Sequence, residues 1–205
     1  MTVTQIEAMF GSRSRYRVYL DGQPAFVLYR GELSRYHIRE GQPLGEKEYS
    51  EIRELLIKRA RVRAMKLLEI SDRSEEALRR KLSEGGYPQS IVENAMDYVK
   101  SFGYLDDRRL AENIVDSRKG QKSRAELQAY LLRKGLSREQ AEEALEKSYT
   151  REDAQEAIRR LAEKKHFDPE RATLQEKQKL CAYFLRKGYR YEDVRQVIQV
   201  SDWNN

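Results

Sequence analysis

The 205-residue chain is 39% hydrophobic and 36% charged, with a mean hydropathy of −0.88. It is poor in material for one large spherical core and suits small helical layers stacked in a row. No run approaches the length of an apolar membrane span, no signal-peptide core follows Met1, and Cys181 is the single cysteine. An intrachain disulfide is therefore excluded, and a soluble protein of the reducing cytoplasm is expected. The net charge of +6 is spread as +2, +1, +1 and +2 over residues 1–45, 46–104, 105–150 and 151–205. No segment is a basic block, so a surface for nucleic acid or an acidic partner requires charge segregation in three dimensions.

Residues 2–29 differ from everything after them. Segments 2–8 and 15–20 are rich in β-branched and aromatic residues, and Tyr16, Val18 and Leu20 alternate with Arg15, Arg17 and Tyr19. Asp21-Gly22 is a two-residue hairpin signal, and 25–29 supplies the return strand. Residues 31–39 read as one short helix. A three-stranded sheet this small needs support, so it is expected to pack on the first helical layer. Residues 41–45, Gly-Gln-Pro-Leu-Gly, read as a linker.

The longest helix candidate is 50–70. Ile52, Leu55, Leu56, Ala60 and Leu67 supply its buried stripe, and Lys58, Arg59, Arg61, Arg63 and Lys66 surround the rest. This is the densest basic run in the chain. It is either a solvated face whose arginine stems cover apolar neighbours, or a surface for phosphate or carboxylate groups.

From residue 73 a repeat takes over. Ser74 is placed to cap a helix through Glu84, Gly85-Gly86 to end it, and Pro88 to open the next. Leu78, Leu82, Gly86 and Tyr87 recur as Leu127, Leu131, Gly135 and Leu136, then as Leu180, Phe184, Gly188 and Tyr189. Val92, Ala95 and Met96 recur as Ala141, Ala144 and Leu145, then as Val194, Val197 and Ile198. The offsets are 49 and 53 residues, the signature of an internal repeat. The expected fold is mainly α: an elongated tandem array of three three-helix repeats behind a small N-terminal three-stranded sheet. The helices are predicted at 50–70, 74–84 and 88–101; at 106–118, 123–134 and 138–148; and at 151–165, 173–187 and 191–200. Domain boundaries follow at 1–45, 46–104, 105–150 and 151–205.

Little in the chain points to catalysis. Asp106-Asp107 stands at a helix start, where a carboxylate caps the first turn. Tyr104 and Leu105, just before it, are expected to be packed. His37 and His166 are far apart without metal-ligand neighbours, Cys181 falls within a helix, and no phosphate-cradling glycine loop occurs. Neither an enzyme nor a cofactor or metal is expected. Basic clusters remain: Arg118, Lys119, Lys122 and Arg124 flank Gly120, while Arg133-Lys134 and Arg186-Lys187 close equivalent helices in repeats two and three. Cations there complement the carbonyl end of a helix. Repeat one has Ser83-Glu84 instead, so repeats two and three could share a binding face that the first lacks.

RSEEALRRKLSEGGYPQSIV, the GYLDD joint, Leu110-Ala111, LLRKGLS and FLRKGYRYEDVRQVI together resemble the RecX family, bacterial modulators of the RecA recombinase. The hairpin RYRVYLDGQPAFVLY is similar to an N-terminal extension in some members. The resemblance implies tandem three-helix repeats, a monomer without catalytic residues, and a place in the groove of the RecA–DNA filament. It further implies inhibition of recombinase, ATPase and coprotease activities in DNA repair and the SOS response. Direct contact with single- or double-stranded DNA is left open. Arg59, Arg63, Lys66, Arg118, Lys119, Lys122, Arg124, Arg133 and Lys134 are the candidate contact pool. A stand-alone nucleic-acid-binding module, with Tyr36 or Tyr130 as stacking platforms, and a helical scaffold for another protein are the alternatives.

Overall fold

The computed structural model describes residues 1–199. Among them, strands β1 (Val3–Ala8), β2 (Arg15–Leu20) and β3 (Gln23–Tyr29) precede a short helix, α1 (Arg30–Arg35). Nine further helices follow: α2 (Glu46–Ile70), α3 (Glu75–Glu84), α4 (Gln89–Ser101), α5 (Asp107–Arg118), α6 (Arg124–Arg133), α7 (Arg138–Ser148), α8 (Arg151–Glu163), α9 (Leu174–Arg186) and α10 (Tyr191–Ile198). The fold is mainly α, with three-helix layers in tandem behind an antiparallel sheet of order β1-β2-β3. The chain divides into two compact units, Met1–Leu105 and Asp106 onward. The expected extension of the last helix to Val200 lies outside the described residues.

In the first unit, Asp21 and Gly22 take φ of 49° and 80°, the doubly left-handed turn that matches the twist of a tight hairpin. Val18 and Leu28 are fully buried and share one core with Ile52, Leu56, Leu78, Met96 and Val99. The sheet therefore packs on the first helical layer, as expected of so small a sheet. Arg15 donates to the Gly85 carbonyl, closing the sheet over the α3–α4 turn.

Four details depart from the sequence reading. α1 stops at Arg35, short of residue 39, because His37 turns left-handed (φ 51°) and Ile38 N–H bonds back to Leu33 O at 2.9 Å. The 41–45 stretch is tied down: Val3 N–H donates to Gln42 O at 2.9 Å, Thr2 bridges to Pro43, and Leu44 is buried. α2 buries Ile57 and Ala64 as well as Ile52, Leu56, Ala60 and Leu67, while Leu55 is only half-buried. Its buried arc is wide because α2 packs on α4 and also meets β3, where the Tyr49 and Phe26 rings lie 6.3 Å apart. Finally, Leu105 packs on the core, but Tyr104 is half exposed and stacks on Phe102 at 5.7 Å.

The second unit holds two smaller cores. One gathers Ala111, Val115, Leu127, Leu131 and Leu145; the other gathers Ile158, Leu180, Phe184, Val194 and Ile198. Tyr149 packs against both. Helix starts are strongly specified. Ser123, Ser137, Thr150 and Thr173 form capping boxes with Glu126, Gln140, Asp153 and Glu176. Asp106 accepts Arg109 N–H at 2.9 Å, so the paired aspartates open α5. The repeat is also exact in backbone: Gly86, Gly135 and Gly188 have φ of 84°, 85° and 86°.

Within this unit the α9–α10 turn docks on the start of α6. Ser123 Oγ donates to Lys187 O at 2.5 Å, Lys187 Nζ donates to Glu126 Oε1 at 2.6 Å, and Tyr149 Oη donates to Lys122 O at 3.1 Å. Burial pushes the Glu126 carboxyl up, but the Lys187 bond, the Ser123 N–H and the charges of Lys187 and Lys122 together hold it below its ordinary value. A carboxyl depressed in the folded state contributes stability above its unfolded pKa and loses it as pH falls through the folded one. Glu126→Gln should thus cost about 1 kcal/mol at neutral pH. In thermal melts taken at decreasing pH, the gap from the parent should close below the ordinary carboxylate range.

Candidate functional site

The candidate residues gather most tightly around one aromatic ring. Leu127 and Leu131 face the core of repeat two, which leaves Tyr130 on the flank of α6. Arg118, from the last turn of α5, sits over that ring at 4.5 Å from its centroid; Lys134 and Arg133 approach it at 5.5 and 5.8 Å. All three cations are exposed. A ring face attracts cations through its quadrupole, so the tyrosine holds together charges that repel one another. No carboxylate pairs with Arg118 or Arg133 among the described residues. The ends of α5 and α6 both favour cations, which explains why the sequence tolerates three there.

The other candidates of this unit turn elsewhere. Lys119 bonds Asp116 at 3.0 Å, which raises its pKa, and reaches the Ser148 carbonyl at 3.3 Å. Lys122 lies 4.0 Å from Glu126. Arg124 lines a cavity of about 270 Å³ with Tyr149, Arg151, Arg190 and Asp193, where Arg151 and the buried Asp193 are paired at 2.6 Å.

In the first unit Arg59, Arg63 and Lys66 follow one another at four- and three-residue spacing along α2, on one face of the helix. Arg63 and Lys66 are exposed. Arg59 is engaged within the unit: it pairs with Glu32 and lies over the Tyr29 ring at 4.8 Å. Its charge is already matched, and its first role is to fasten α1 to α2. The stacking candidate Tyr36 packs on this core, with Arg35 at 5.5 Å from its ring.

A second ring cluster escaped the sequence reading. Tyr183 carries Lys165 at 4.3 Å and Lys187 at 5.6 Å. The signal was available, because Tyr183 and Lys187 stand 53 residues after Tyr130 and Lys134, the repeat offset itself. The corresponding position in repeat one is Lys81, whose ammonium pairs with Glu84 at 2.7 Å. At this register position, tyrosine-centred cation groups thus occur in repeats two and three and a neutralised pair stands in repeat one.

Among the described residues no three His, Cys, Asp or Glu side chains assemble as a metal cage would need, and no helix is long and apolar enough to cross a membrane. Cys181 is buried, which pushes its thiol pKa up and away from reactivity. What the surface offers is fixed positive charge on rigid helix ends, suited to carboxylate or phosphate groups.

Fold and surface define a class: a tandem three-helix-repeat protein whose candidate site is a cationic face. Family models for the first, second and third three-helix domains of RecX match residues 60–98, 106–145 and 152–198. The chain is similar to the regulatory protein RecX of Clostridium acetobutylicum (strain ATCC 824), at 27% identity across 97% of this chain and 95% of that one. It is 33% identical to the regulatory protein RecX of Escherichia coli O9:H4 (strain HS), across 70% and 89% of the two chains. A crystal structure of regulatory protein RecX shares the fold, with a TM-score of 0.63 at 24% identity over 97% of this chain and 98% of that one. The chain belongs to the RecX family.

Proposed function

We propose that this protein is a non-enzymatic cytoplasmic regulator that binds the RecA recombinase–DNA filament as a monomer and inhibits its recombinase, ATPase and coprotease activities. Family membership supports the partner, and the observation that carries the site is the group of exposed cations around Tyr130. The proposed contact pool draws on each unit separately: Arg63 and Lys66 in the first, with Arg59 acting from behind through Tyr29 and Glu32, and Arg118, Arg133 and Lys134 in the second, with Lys119, Lys122 and Arg124 as further members. Spread over separate repeats, many modest charged contacts suit a polymeric partner and give a salt-sensitive interaction.

The triple variant Arg118→Glu, Arg133→Glu, Lys134→Glu tests this. Its binding to RecA filaments, read by co-sedimentation, is expected to fall at least about tenfold, since each reversal replaces attraction by repulsion at a desolvated contact. Far-UV circular dichroism should be unchanged, because all three side chains are on the surface. Unchanged binding would remove repeat two from the interface. The same Tyr130 cluster favours stand-alone nucleic-acid binding as a second reading. That reading requires tight binding to naked DNA without recombinase, falling steeply with salt.

A further inference from the structure

Repeat three carries an insertion that the other two lack. The segment joining its first two helices is 164–173, against 71–74 in repeat one and 119–123 in repeat two. α9 also starts earlier: its cap, Thr173, stands seven residues before Leu180, whereas Ser74 and Ser123 stand four before Leu78 and Leu127. Insertions in repeat arrays map to loops on one face, often a binding face.

This loop is built from internal hydrogen bonds. His166 turns left-handed at φ 55°, Phe167 N–H bonds Ala162 O at 3.1 Å, and Ala172 N–H bonds Asp168 O at 2.9 Å. Both nearby carboxylates serve the backbone. Asp168 Oδ1 accepts Glu170 N–H at 3.0 Å, and Glu176 Oε2 accepts the Thr173 N–H and hydroxyl at 2.8 Å each. The cations have weaker ties: Arg171 is 89% exposed at 3.6 Å from Asp168, and Lys165 rests on the Tyr183 ring.

Between the loop and α9 lies a cavity of about 450 Å³. Its lining combines Phe167, Leu180 and Tyr183 with the cations Lys165, Arg171 and Lys179 and the carboxylates Asp168 and Glu176. An aromatic and apolar wall beside three cations calls for a ligand with a flat ring and clustered negative charge. Three cations against two carboxylates leave an excess of positive charge that a purely apolar ligand would not meet, and a bare phosphate would leave the aromatic wall in water.

We propose that this cavity binds a nucleoside phosphate, with its base against Phe167 and Leu180, beside the Tyr183 ring that Lys165 covers, and its phosphate on Lys165, Arg171 and Lys179. The source is a free nucleotide or one unit of a single strand; both present the same chemistry. The proposal stands apart from the filament reading, since it concerns a cavity outside the contact pool.

The test is calorimetric titration of the full chain with ATP, inorganic phosphate and an oligothymidylate of about twelve nucleotides. ATP is expected to bind saturably, and Lys165→Glu/Lys179→Glu to weaken it at least about tenfold, with circular dichroism confirming an intact fold. Arg53→Glu/Lys58→Glu makes the same charge change on an exposed part of α2 and should leave ATP binding unchanged. Stronger binding of the oligonucleotide than of ATP, lost in the same variant, identifies the strand as the source; equal or weaker binding identifies the free nucleotide. No saturable ATP binding, displacement of ATP by phosphate at equal concentration, or equal loss in the α2 variant would overturn the proposal. Should the double variant fail to fold, Lys165→Ala and Lys179→Ala measured singly must each weaken ATP binding, or the proposal fails.

Discussion

Phe184→Ala is expected to unfold the third repeat at markedly lower denaturant, at a cost of about 3 to 5 kcal/mol. The ring is fully buried, makes edge contacts with Tyr183 at 5.3 Å and Tyr189 at 5.7 Å, and sits in a cluster of ten buried residues among those described. A core so small has few neighbours able to move into the cavity, so the loss stays near the upper end of what such truncations produce. Urea unfolding followed by circular dichroism should show a lower midpoint. The neighbouring Leu185, exposed on the same helix, provides the control: Leu185→Ala should change stability by less than about 0.5 kcal/mol. Equal midpoints for the two variants would mean that repeat three is not held by this cluster.

Gly188→Val carries the second large effect. Gly188 has φ of 86°, a region costing a side-chain-bearing residue about 1 to 2 kcal/mol. A Cβ there would also stand 2.5 Å from the Ala125 Cβ, a contact that neither side can relieve without moving backbone. The turn must lift from the start of α6, taking with it the Ser123–Lys187 and Glu126–Lys187 hydrogen bonds. The variant should lose several kcal/mol in total, and the stability gap produced by Glu126→Gln should shrink in its background, because the Lys187 contribution is gone while the Ser123 cap remains. Gly120→Ala is the contrast, because that site has ordinary backbone and meets only the guanidinium of Arg160 at 3.4 Å. Hydrogen exchange at the α6 and α9 ends would separate loss of docking from loss of either repeat.

Much of the fold was legible because the repeat writes its own geometry three times. The leucine spacing marks buried helix faces, and the glycine between them can be read as left-handed before any coordinate is known; Gly86, Gly135 and Gly188 agree to within two degrees. The hairpin was equally plain from alternation and Asp21-Gly22. What composition concealed were tertiary pairings. The 41–45 stretch has the residues of a linker but is fastened to β1, and nothing local marks that. The buried arc of α2 was misjudged at Leu55, Ile57 and Ala64 because a helix with neighbours on two sides no longer shows a single stripe.

The candidate site was legible as residue types and not as partners. Arg59 and Arg63 look alike in sequence, yet Glu32, 27 residues upstream, engages one of them. Arg118, Arg133 and Lys134 are joined only by Tyr130, which the sequence offered as a stacking platform for another reading. Extending the repeat register from hydrophobic to aromatic positions would have found Tyr183 and Lys187 as well, though not Lys165, whose counterpart at the same offset is Glu112.

The central claim is regulation of a recombinase filament, and the most direct measurement is the ATPase rate of RecA on single-stranded DNA as this protein is titrated in. The account predicts a fall in rate well before this protein equals the recombinase in amount, with the Arg118→Glu, Arg133→Glu, Lys134→Glu variant needing at least about ten times more to achieve it. An unchanged rate at equal amounts would contradict the account.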